Sequence, residues 1–183
     1  MMNDHTALLI IDILNPFDFE HGKTLADHTT KMLKPLDSLR GACRQNNMPV
    51  IYINDHYTLW QADLKKIYDK CLNDISRPII ETLKPGKDDY FLIKPKHSAF
   101  YGTALNTLLH SLKVDTLILT GIAGNICVLF TANDAYMREF NLIIPEDCIA
   151  SVSEDDNRYA LEMMKNVLKA DIVASGSILQ GYY

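Results

Sequence analysis

Three residues that can move charge stand at the ends of three apolar runs. Asp12 closes Ala7-Leu-Leu-Ile-Ile11, Lys94 closes Tyr90-Phe-Leu-Ile93, and Cys127 follows Thr116-Leu-Ile-Leu-Thr120 across a break at Gly121 and Gly124. A thiolate attacks carbonyl carbon. A carboxylate accepts the thiol proton and returns it to a leaving group. An ammonium steadies thiolate charge and orients the carboxylate. Each residue also has a plain alternative. An aspartate after a strand caps a loop, a lysine there is a solvated edge residue, and a cysteine packs as a small apolar side chain. Only a shared location lifts the set above those alternatives.

The segment around Cys127 is the most informative. Asn125 is expected to cap a helix whose apolar positions continue through Val128, Leu129, Ala132 and Ala135. Cys127 then falls in the first helical turn, facing unpaired N–H groups and the positive end of the helix dipole. Both favour the thiolate. The same N–H groups can hold a developing oxyanion.

The elements that must position these residues alternate in type. Apolar, β-branched runs at 7–11, 49–53, 90–93, 116–120, 141–144 and 170–174 read as strands. Helices are expected at 27–46 (with Pro35 a local disturbance), 61–72, 102–112, after Gly124, and near 154–169. Lys84–Asp89 reads as a turn. Strands alternating with helices predict an α/β fold: a three-layer α-β-α sandwich around a mainly parallel, roughly six-stranded sheet. In a parallel sheet the carboxyl ends of all strands lie on one edge, where open α/β folds bind ligands. Asp12, Lys94 and Cys127 therefore converge by topology.

Bulk properties narrow the field. The chain has 183 residues, suited to a single domain over 1–183. Its formal net charge of -5 offers no basic stripe for nucleic acid. No apolar stretch reaches membrane length, and Met1-Met-Asn-Asp-His-Thr6 lacks the pattern of a signal peptide. A soluble, cytoplasmic protein is expected, its cysteines present as thiols. No C-x-x-C spacing occurs, so neither a redox pair nor a cysteine zinc site is signalled. Cys43 and Cys71 fall on apolar helix stripes and read as core; Cys148 follows the fifth strand without an activating neighbourhood. Gly181-Tyr-Tyr183 reads as a frayed tail, with a contact to a neighbouring subunit as the alternative.

With these residues in view the chain resembles the isochorismatase-like cysteine hydrolases, which include nicotinamidases and N-carbamoylsarcosine amidohydrolases. The blocks that carry the resemblance are Asp12 with Asn15 and Phe17, Lys94-Pro-Lys-His-Ser-Ala-Phe-Tyr-Gly-Thr103, and Gly121-Ile-Ala-Gly-Asn-Ile-Cys127. The resemblance implies Asp12 as general base and later acid, Lys94 rather than Lys96 as the catalytic lysine, and Cys127 as the nucleophile of a covalent acyl intermediate. It implies a cis peptide at Ile122–Ala123 and an oxyanion hole from the Ala123 and Cys127 N–H groups, with Ile122 beside the substrate. It also suggests a homodimer or homotetramer.

Nicotinamidases of this family carry a metal site on an Asp-x-His pattern after strand two. Here the matching stretch is Asn54-Asp-His-Tyr57, and no further histidine follows before His97. No metal and no cofactor are therefore expected. A structural role is expected of His97. Phe17, Tyr57, Trp60, Phe100 and Tyr101 could wall a pocket for a small flat substrate. Core packing is the alternative for each, and is favoured for Phe100. Asn54 could hydrogen-bond substrate or cap a turn. The leading expectation is hydrolysis of a C–N bond in a small molecule. The alternatives are a vinyl-ether hydrolase that does not need Cys127, as in isochorismatases proper, and a silent binding or assembly protein on the same fold.

Overall fold

The computed structural model of the protein describes residues 5–181. The two ends of the chain read above, Met1–Asp4 and Tyr182–Tyr183, lie outside the described residues. Seven strands form one parallel sheet in the order β3-β2-β1-β4-β5-β7, with the short β6 paired to β4. They are β1 (Thr6–Ile11), β2 (Val50–Asp55), β3 (Tyr90–Lys94), β4 (Thr116–Ile122), β5 (Asn141–Pro145), β6 (Ile149–Ala150) and β7 (Asp171–Val173). The six expected strands are all present. The seventh, β6, spans two residues and is too short to show a period in the sequence.

Alternation along the central strand separates two apolar cores. Leu8 and Ile10 of β1 join Val50 and Tyr52 in the core beneath α1 (Gly22–Lys31), α2 (Leu33–Gln45), α3 (Leu64–Cys71), α4 (Arg77–Leu83) and α8 (Ser175–Leu179). Ala7, Leu9 and Ile11 join Ile51 and Ile53 in the core beneath α5 (Leu105–Ser111), α6 (Leu129–Tyr136) and α7 (Glu154–Asn166). Because both faces of the sheet are covered, these strands carry apolar residues at successive positions, Ala7–Ile11 and Val50–Ile53, and not at every second one. The three-layer sandwich follows.

The helix expected at 27–46 is two helices meeting at Met32. Pro35 sits in the first turn of α2, where its missing N–H costs nothing. In a continuous helix its ring would press on the carbonyl of Lys31. The α4 helix carries Pro78 in its first turn and buries Ile79, Ile80 and Leu83. The sequence reading passed over it because seven residues hold barely two turns of pattern.

The chain builds β1, β2 and β3 outward in one direction, then returns to add β4 and β5 on the other side of β1. The direction reverses between β1 and β4. Such a switch point leaves a crevice at the carboxyl ends of the two strands. Ile11 pairs with Gly121 at that position. Gly121 has φ +112°, and a Cβ there would lie 2.1 Å from the Ile11 carbonyl oxygen. Only glycine allows the two strands to meet this closely.

Candidate active site

Asp12 leaves β1 with φ +52°, a left-handed turn that aims its side chain back over the sheet edge. Its Oδ1 accepts the Asp55 N–H at 2.7 Å. Its Oδ2 lies 2.7 Å from Lys94 Nζ. Lys94 is the last residue of β3, two strands away from β1, and its long side chain spans β2 to reach the carboxylate. The same ammonium donates to Lys96 O at 3.1 Å and to Cys127 Sγ at 3.5 Å. The Asp12 carboxylate also acts electrostatically on the Cys127 thiol, opposing loss of its proton. Lys94 thus joins the three residues placed together by topology into one cluster. Lys96, the neighbouring lysine of the same block, is exposed.

Cys127 lies in a single wide helical turn, Gly124–Val128, that leads into α6. The turn is of π type: the Val128 N–H bonds the Ala123 carbonyl at 3.1 Å, as does the Ile126 N–H at 3.0 Å. Cys127 is therefore near the helix start as expected, but Asn125 is not the cap. Ala123 holds that position without a side-chain bond, and Asn125 lies inside the turn with a buried, unpartnered Oδ1. The π turn begins two residues earlier than a helix capped by Asn125 would. The Ile122–Ala123 peptide bond is cis.

Electrostatics correct one expectation. Burial pushes the Cys127 thiol up to about 12; the Asp12 anion adds to the rise, and Lys94 works against it. The resting group is therefore a thiol and not the thiolate that a helix start alone would favour. Burial also raises Asp12 above the ordinary carboxylate range, against the opposing pull of Lys94. Burial alone would lower Lys94, but Asp12 and Cys127 more than offset it and hold the ammonium charged. A neutral thiol stands beside a buried ion pair. With a carboxylate available in the same cluster, its proton can leave sulfur during an attack and need not leave before it.

The remaining expected residues divide. Phe17 is buried in the core beneath α1, its N–H bonded to Asn15 Oδ1 at 2.7 Å. Ile122 is wholly buried at the end of β4. Asn54 is also fully buried, and both ends of its amide are committed. Its Oδ1 takes the Leu14 N–H at 3.1 Å and its Nδ2 gives to Leu14 O at 2.7 Å. It braces the loop that carries Asp12, which is the turn-capping alternative. Tyr57 adds a bond to the same Leu14 carbonyl at 2.9 Å. Trp60 is 68% exposed and stacks on His56 with ring centroids 3.9 Å apart. Phe100 is in the core and Tyr101 is exposed. His97 is exposed, edge-on to Phe130.

The Asn54–Tyr57 stretch is engaged in local hydrogen bonds. Asn54 is spent on Leu14, Asp55 Oδ1 accepts the Tyr57 N–H, and His56 Nδ1 accepts the Thr58 N–H. Among the described residues no group of histidine, cysteine and acidic side chains gathers to hold an ion.

Thr131 was missed by the sequence reading. Its hydroxyl donates to Cys127 O at 2.7 Å and accepts the Ala99 N–H at 2.9 Å. It ties the cysteine turn to the block that begins at Lys94. The signal available was a polar residue on a buried helix stripe, four positions after Cys127.

Residues 6–175 match the Isochorismatase domain, and the chain belongs to the isochorismatase family. Among its relatives, the isochorismatase family protein YaaI of Bacillus subtilis is 59% identical over 174 residues, which cover 95% of this chain and 96% of the relative. A cysteine hydrolase from Pseudomonas syringae pv. phaseolicola superimposes with a TM-score of 0.80 at 25% identity, over 98% of this chain and 93% of that one. An N-carbamoylsarcosine amidase from Thermoplasma acidophilum superimposes with a TM-score of 0.71 at 26% identity, over 93% and 96% of the two chains.

Proposed function

We propose that the protein is a cysteine hydrolase that cleaves a C–N bond of a small amide-type molecule through an acyl-Cys127 intermediate, without a metal or other cofactor. The observation that carries this reading is the contact of Lys94 Nζ with both Asp12 Oδ2, at 2.7 Å, and Cys127 Sγ, at 3.5 Å. The fold shared with a solved cysteine hydrolase and with an N-carbamoylsarcosine amidase supports it.

The steps follow from the charges. Sulfur attacks the carbonyl carbon as its proton passes to Asp12. The carbonyl oxygen becomes an oxyanion, held by the N–H groups of Ala123 and Cys127. Asp12 returns the proton to the leaving nitrogen, the C–N bond breaks, and an amine or ammonia departs. Water then gives a proton to Asp12 and attacks the thioester. The acid leaves and Cys127 recovers its proton from Asp12. Lys94 keeps Asp12 oriented and offsets negative charge as it moves between oxygen and sulfur.

A cysteine in contact with Lys94, which also pairs with Asp12, favours this reading over vinyl-ether cleavage, which has no use for the thiol. A homodimer or homotetramer is part of the proposal, supported by the half-exposed apolar side chains Phe130 on α6, Met163 on α7 and Val167 just after it. So is a cytoplasmic location; no helix among the described residues is long and apolar enough to cross a membrane.

The test is release of ammonia or amine from a panel of small primary amides, carbamoyl compounds and ureido acids, with isochorismate as a separate arm. The wild type is expected to turn over at least one amide. Cys127→Ala should lose turnover by a factor of about a thousand or more. Unchanged turnover in Cys127→Ala, or cleavage of isochorismate alone, would overturn the proposal.

A further inference from the structure

The turn that carries Cys127 is held from behind by residues outside every block discussed so far. Ser151, just after β6, is 2% exposed. Its Oγ accepts the Asn125 N–H at 3.1 Å and donates to Asn157 Oδ1, on α7, at 2.7 Å. Its carbonyl is bonded to His28 Nδ1, on α1, at 2.8 Å. Gly124 sits against the same pair. A Cβ at Gly124 would lie 2.3 Å from Asn157 Oδ1 and 3.0 Å from Ser151 Oγ.

These contacts do two things at once. They remove the Asn125 N–H, one of the orphan donors of a helix start, from the set that could receive an anion. They also add a second tie to the turn, beside that of Thr131, which holds Cys127 O. A wide helical turn has poorer internal geometry than an α turn and depends more on such outside support. The anchor reaches it from two separate places, the residue just after β6 and the end of the first turn of α7.

We infer that Ser151 and Asn157 are positioning residues that clamp the Gly124–Asn125 peptide and thereby set the burial and aim of the Cys127 thiol. The catalytic part of this inference rests on the acyl-cysteine reading; the effect on the thiol itself does not. Releasing the clamp lets water reach Cys127, which relieves the desolvation that keeps its proton on. The thiol then reacts faster with a small alkylating agent, while turnover, which needs the fixed aim, slows.

The test is iodoacetamide labelling of the intact protein at fixed mildly alkaline pH, with each cysteine followed by mass spectrometry, in wild type, Ser151→Ala and Asn157→Ala. The loss of one hydrogen bond corresponds to an effect of about fivefold. Ser151→Ala should raise Cys127 labelling by about that factor, with Cys43, Cys71 and Cys148 unchanged, and lower kcat more than it raises KM. Asn157→Ala, on the partly exposed face of α7, should act in the same direction and more weakly. Unchanged Cys127 labelling in both variants overturns the inference. So does a parallel rise at all four cysteines, which would mark general loosening. If the wild type hydrolyses no amide, the labelling arm still decides the matter and only the catalytic reading falls.

Discussion

Lys94 Nζ and Asp12 Oδ2 stand 2.7 Å apart with side chains 1% and 7% exposed, joining the end of β3 to the end of β1 across an intervening strand. A pair so withdrawn from water is costly to break from one side. Lys94→Ala leaves a buried carboxylate with its Asp55 N–H bond and no countercharge. It should lower unfolding free energy by about 3–5 kcal/mol, or force Asp12 to take up a proton. Urea titrations of the variant at neutral and acidic pH check this. The deficit is expected to shrink as the pH falls and Asp12 becomes neutral.

Asp12→Asn keeps nearly the same shape and an oxygen for the Asp55 N–H but cannot accept the thiol proton. The fold should persist at a cost in stability, because the buried Lys94 ammonium loses its countercharge, with turnover down by a factor of about a hundred to ten thousand, the usual range for a lost general base. Circular dichroism and the amide assay together check it. Turnover within a few-fold of wild type would remove Asp12 from proton transfer.

Buried thiols make stability depend on pH. Burial pushes Cys43 and Cys71 up to about 12 each. A free thiol ionises near 8.5. Between those values the folded state keeps a proton that the unfolded state has released, so stability falls as pH rises. The slope is about 1.4 kcal/mol per pH unit for each such thiol. Denaturant midpoints taken from about pH 8 to pH 10 should fall steadily. Cys43→Ala should flatten that slope by one thiol's share, whatever its effect on absolute stability.

Gly121→Ala places a methyl group 2.1 Å from the Ile11 carbonyl at a φ of +112°. Strain and overlap together should cost more than about 2 kcal/mol and open the β1–β4 junction. A drop in melting temperature with loss of activity is the expected result, read by calorimetry.

Much of this site could be read from residue order because topology did the assembly. Asp12, Lys94 and Cys127 each followed an apolar run, and a parallel sheet puts all such ends on one edge. What could not be read depends on contacts between segments with no pattern of their own. Asn54 offered the same amide to a substrate or to a loop, and only the position of Leu14 decides between them. The protonated state of Cys127 depends on burial by the whole fold and on Asp12, whereas the sequence displayed only a helix start. The break at Met32 was foreshadowed by Pro35, but the choice between a kink and two helices lay in how α1 and α2 pack. Ser151 and Asn157 carried no signal at all, since a serine after a two-residue strand looks like any loop serine.

The account stands on Asp12, Lys94 and Cys127 acting as one electrostatic unit. Its most direct test is the pH dependence of Cys127 alkylation in wild type, Asp12→Asn and Lys94→Ala, the label located by mass spectrometry. The Asp12 anion raises the thiol and Lys94 lowers it. The midpoint should therefore move to lower pH in Asp12→Asn and to higher pH in Lys94→Ala, relative to the wild type. Midpoints that stay together in all three proteins would contradict the unit and, with it, the proposed mechanism.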